Sequence, residues 1–170
     1  MEAKRRLSQI YELQRVALIN VHYYATRITR LTRINRTFQI IAALTASGTI
    51  ASVIREVPAP YRWISIGFSL CAAIATAVVA VFNFSDAIAR LERMHSAYKM
   101  LYHSTETLAK QTIGSDGLSP EQDAVASVLE DQLAALGPHD EIDPDAEAMK
   151  AAQEKAERQL PDSYYYPQSA

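Results

Sequence analysis

Cysteine is nearly absent from this chain. Cys71 is the only one in 170 residues, so no disulfide can close within it. A lone cysteine in apolar surroundings behaves as a small hydrophobe, which gives Cys71 no catalytic role. Glycine and proline are scarce and unevenly placed. Residues 1–47 and 68–113 contain neither, so nothing in those stretches breaks a helix. There is no phosphate-binding loop, no GxSxG, no HExxH and no cysteine–histidine set with metal spacing, and the chain is not expected to be an enzyme or to carry a cofactor. The basic start MEAKRRLSQIYELQRV leads into no apolar segment with a small-residue cleavage site, unlike a secretory signal.

Charge is also missing, and here the absence is local. Thr37–Ile54 (18 residues) and Trp63–Ser85 (23 residues) hold no Asp, Glu, Lys, Arg or His. As helices rising 1.5 Å per residue they would measure roughly 27 and 34 Å, close to the ~30 Å of a bilayer's hydrocarbon core. Arg55–Arg62 (REVPAPYR), with two prolines, suits a turn between them. The expected fold is therefore all-α: a two-helix transmembrane hairpin, with a buried hairpin in a water-soluble core as the alternative reading.

What is present on either side is helical periodicity. Leu7, Ile10, Gln14, Ala17, Val21, Tyr24, Ile28, Leu31, Asn35 and Phe38 step by three and four, and eight of these ten are apolar or aromatic. Phe84, Ala87, Leu91, Met94, Tyr98, Leu101, Thr105 and Leu108 repeat the pattern. The spacing predicts a first helix from residue 4 through the first span, and a second span continuing as a helix to about 112. Their flanking parts would zip as an antiparallel coiled-coil stalk. Gln14 and Asn35 either fix the register of that seam or are simply solvated. The expected domains are 1–112, the hairpin with its stalk, and 113–170, an acidic tail. Ser119-Pro120-Glu121-Gln122 reads as a helix start, giving a short helix over 120–136. Asp143-Pro144 would open another over 144–160. SYYYPQSA reads as a flexible end, and His139-Asp140-Glu141 as part of a solvated linker.

Charge of opposite sign collects at the two ends. Residues 1–110 carry 14 Lys and Arg against 6 Asp and Glu, residues 111–170 only 3 against 13. That asymmetry suggests a basic membrane-proximal body and an acidic, solvated tail. Basic residues outnumber acidic ones more strongly in the flanks than in the turn, which places both termini on the cytoplasmic side of a plasma membrane. Arg27, Arg30, Arg33 and Arg36 spread over half a helix circumference beside the first span, suiting lipid headgroups better than nucleic acid. Within the spans, Thr45, Thr49 and Ser52 share one stripe, and Ser65, Ser69, Thr76 and Asn83 another. Such stripes pack helices in lipid or, in an oligomer, line a pore. Among the four histidines, His22 could approach His95 or His103 across the antiparallel pair, although scattered surface histidines are the commoner case.

These residues together resemble the SLATT family, two-transmembrane effector domains associated with SMODS nucleotidyltransferases and SLOG sensors. The resemblance covers about residues 1–112: VHYYATRITRLTRINRTFQ, the hairpin at REVPAPYR, and the second span passing into FNFSDAIARLERMHSAYKMLYHSTETL. Tyr23, Tyr24, Tyr98 and Tyr102 look like that family's flanking-helix aromatics. The resemblance implies a homo-oligomeric, pore-forming or membrane-disrupting effector of bacterial antiviral conflict, triggered by a nucleotide second messenger or a sensor protein. The alternative is a non-conducting anchor whose stalk and tail recruit a cytosolic partner.

Overall fold

The computed structural model describes residues 2–46, 63, 67, 70, 73, 74, 76–78, 83–112, 118–140 and 144–160. Four helices of more than one turn stand out: α1 (Glu2–Ala46), α2 (Phe84–Thr112), α3 (Pro120–Leu136) and α4 (Ala146–Gln159). A single 3₁₀ turn, Gly137–His139, follows α3. No strand occurs among the described residues, so the protein is all-α. Among the described residues no helix is long and apolar enough to cross a membrane. Residues 47–54 and much of 63–85 lie outside the described residues, and with them much of the two expected spans.

The helical seams form as their spacing dictates. Every seam position of α1 from Leu7 to Phe38 is buried or half-buried, and on α2 Leu91, Met94, Tyr98, Leu101, Thr105 and Leu108 are all buried. Burial of each large apolar side chain stabilises the fold by about 1.5–3 kcal/mol. Gln14 is 2% exposed, so solvation is not its role. Asn35 is half-buried, and its Oδ1 accepts from Gln39 Nε2 at 3.3 Å.

The second helix does not run unbroken from span to stalk. Asn83 is non-helical and exposed; its side chain donates to Asp86, and its carbonyl accepts from the Ala87 amide at 3.2 Å. A residue that is itself non-helical while its carbonyl accepts the first helical bond marks a helix start, and asparagine is favoured there. That moves Asn83 from the expected polar stripe to the beginning of α2.

The α3 start follows the sequence closely. Ser119 Oγ accepts from the Gln122 amide at 3.2 Å while Gln122 Oε1 accepts from the Ser119 amide at 2.8 Å, with Pro120 in the first turn. Each end thus satisfies an otherwise orphaned donor. For α4 the cap is Asp145, whose carboxylate accepts from the Ala148 amide at 3.1 Å, not Asp143. Asp143 lies outside the described residues.

The chain divides into two compact units: residues 1–27 with 90–170, and residues 28–89. This is not the division at residue 112 that composition suggests. The acidic C-terminal helices fold onto the basic start of α1: Arg6 pairs with Asp123 at 2.9 Å and Glu130 at 3.2 Å, Arg15 with Glu157 at 3.4 Å, and Arg27 with Asp145 at 3.5 Å. Opposite charges separated along the sequence meet across an interface, so residues 118–160 form part of a folded head rather than a solvated tail. Under α4, Tyr11 and Leu18 of α1 pack with Ala156 and Leu160, flanked by Ile19 and Tyr102.

The unit 28–89 has a different surface. Phe38 and Phe84 stack with ring centres 6.2 Å apart and planes at 21°. Ile40, Trp63, Leu70 and Ile74 are 52%, 71%, 61% and 54% exposed. Every described position from 63 to 78 is helical.

Candidate functional site: a tyrosine clasp

Adjacent residues on a helix point about 100° apart, so Tyr23 and Tyr24 reach two different neighbours. Their rings meet edge-on at 5.2 Å and 78°. Tyr24 stacks on Tyr98 of α2, centre to centre 5.8 Å with planes 17° apart. Tyr23, Tyr24 and Tyr98 are each at most 2% exposed. A buried phenol needs a partner for its hydroxyl, and these three find theirs on the segment that joins α3 to α4. Tyr24 donates to Asp140 Oδ1 at 2.7 Å, and Tyr98 to Asp140 Oδ2 at 2.6 Å. One carboxylate therefore spans two stacked phenols. Tyr23 accepts from the Asp145 amide at 3.2 Å, and Arg27 Nη1 lies 3.5 Å from Asp145 Oδ2.

Burial first, then the hydrogen bond to Asp140 and the negative charge there, push the Tyr98 hydroxyl far above its ordinary pKa of 10.0. Tyr98 is thus held as a proton donor. A second set of contacts fastens the far end of α4. Tyr11 donates to the Leu160 carbonyl at 3.2 Å, and His22 Nε2 meets Gln159 Oε1 at 2.9 Å. Chemically, the arrangement holds a carboxylate and a chain segment. It does not set a nucleophile against a base.

The residues singled out from sequence fall as follows. Tyr23, Tyr24 and Tyr98 come together, while Tyr102 packs near Tyr11 and Leu18. Asp140, expected in a solvated linker, is half-buried as the acceptor at the centre of the clasp. Arg27, expected at lipid headgroups, is turned to Asp145, whereas Arg30, Arg33 and Arg36 are exposed. Thr45 is helical, Thr76 is helical and exposed, and Thr49, Ser52, Ser65 and Ser69 lie outside the described residues. His22 meets Gln159, His95 Nδ1 meets the Val21 carbonyl at 3.1 Å, and His103 lies 3.6 Å from Glu106. Among the described residues no three His, Cys, Asp or Glu side chains group as metal ligands. The signal that could have found Asp140 was the charge asymmetry, interpreted as complementarity rather than separation.

The fold and the clasp define an all-helical protein whose C-terminal helices are docked on a tyrosine-bearing helix pair. No family model matches the chain, and no curated protein or solved structure is significantly similar to it.

Proposed function

We propose that this protein is a small membrane effector: a two-span hairpin carrying a folded cytoplasmic head, which oligomerises and permeabilises the bilayer when triggered. One observation carries the proposal. Ile40, Trp63, Leu70 and Ile74 expose large apolar surface on stretches without any charge. Exposed apolar surface of this kind marks a membrane or partner contact, and uncharged runs of this length suit lipid. The exposed Arg30, Arg33 and Arg36 would then meet anionic headgroups. Homo-oligomer formation and a nucleotide or sensor-protein trigger belong to this proposal through the SLATT resemblance.

Dye release from liposomes containing the purified chain tests it, with Thr49→Leu and Thr76→Leu as variants. Leakage that falls in the variants supports a hydroxyl-lined path. No leakage at any protein density, or extraction of the chain into the aqueous phase at alkaline pH, overturns it.

A non-conducting anchor that recruits a cytosolic partner is the second reading, favoured by the folded acidic surface of α3. It predicts that a generic two-span hairpin replaces residues 37–85 without loss of function. The effector proposal predicts that this replacement abolishes function.

A further inference from the structure

The segment from Asp140 to Leu160 is fastened differently from the rest of the head. The buried residues of α4 are Ala148, Ala152 and Ala156, so the helix brings mainly methyl groups to its interface, with Met149 half-buried and Leu160 at the C-cap adding the one large buried side chain described in this segment. By contrast, α2 buries Leu91, Met94, Tyr98, Leu101 and Leu108. Six of the fourteen residues of α4 are charged, and a helix this short is marginal on its own in water. Its attachment therefore depends on polar fastenings at both ends. Asp140 and Asp145 sit on Tyr24, Tyr98, Tyr23 and Arg27 at the near end. At the far end Leu160 and Gln159 sit on Tyr11 and His22, and Glu157 on Arg15. Segments with little apolar burial and a few discrete attachments open below the global unfolding free energy.

We propose that Asp140 and residues 144–160 form a releasable strap: they lift from α1 and α2 as one unit while the α1–α2 seam stays closed, and in lifting uncover Tyr11, Leu18 and Tyr24. The head then has two states, strapped and unstrapped, which differ in whether a row of tyrosines on α1 is covered. Asp140 is the catch, because its carboxylate hydrogen-bonds both helices of the seam at once. Anything that competes for the two phenol hydroxyls, or that pulls on the Pro138–Pro144 connection, shifts the balance between the states.

Native-state hydrogen exchange on the full chain in mild detergent tests this directly. The amides of α4 should exchange together, about a hundredfold or more faster than the buried α2 amides. Tyr24→Phe and Tyr98→Phe each remove a single hydroxyl, and each should speed α4 exchange by roughly three- to tenfold. Asp140→Asn should act in the same direction. If α4 is protected as strongly as α2, or if the variants leave α4 exchange unchanged, the strap does not exist as an independent unit. The readout concerns the head alone, so a failed dye-release experiment leaves it intact, and its failure leaves the membrane proposal standing.

Discussion

Tyr24 and Tyr98 lie on different helices, stack at 5.8 Å, and give their hydroxyls to the two oxygens of one carboxylate, that of Asp140. The carboxylate closes a triangle that neither helix could close alone. Hydrogen bonds to a charged acceptor contribute roughly 1.5–3 kcal/mol each, and here two share an acceptor. Asp140→Ala should therefore destabilise the head by about 2–3 kcal/mol, read as a lower urea midpoint. A double-mutant cycle between Tyr98→Phe and Asp140→Asn should return a coupling of about 1 kcal/mol or more. Additivity of the two substitutions would mean that the bond contributes nothing.

The Tyr98 phenol also sets an alkaline limit. Its folded-state pKa is raised, first by burial and then by Asp140. The folded state thus holds a proton that the unfolded chain gives up near the ordinary value of 10.0. Stability from this group is complete below that pH and falls steadily above it. Thermal unfolding between pH 8 and 11 should show the decline setting in near pH 10, and Tyr98→Phe should flatten it.

Arg6 joins α1 to α3 through Asp123 and Glu130, and its side chain is 35% exposed. Partly exposed pairs of this kind stabilise by no more than about 1 kcal/mol and are screened by salt. Arg6→Ala should lower the melting temperature by a few degrees. The difference from the parent protein should shrink at high ionic strength; a salt-independent loss would point to packing of the arginine stem instead.

Ala156 is fully buried against Tyr11 and Leu18. A leucine there would overpack the contact, at about 1–3 kcal/mol. At Ala151, exposed on the opposite side of α4, the same change should be within about 0.5 kcal/mol of neutral. Chemical denaturation of the two variants separates them.

Much of the local structure was legible because it depends on neighbours in sequence. The steps of three and four placed both seams, and the Ser119–Gln122 box fixed the start of α3 to the residue. The α4 cap slipped by two positions, since Asp143 and Asp145 offer the same side chain and only the docked linker distinguishes them. The stripe of Thr, Ser and Asn was tied to a continuous helix, whereas Asn83 is non-helical and the following helix begins at Phe84. The clasp was not legible: Tyr24 and Asp140 are 116 positions apart, and no periodicity links them.

By itself the sequence determined that the chain is helical, where most helices begin, and which faces are apolar, because these follow from interactions within a turn or two of the backbone. It also determined that basic and acidic residues are separated along the chain. Tertiary structure alone decided that the two charge populations meet, that the acidic segment is docked instead of solvated, and that one aspartate is held by two tyrosines. Such contacts depend on which surfaces burial brings together, and that choice is made by the whole folded chain.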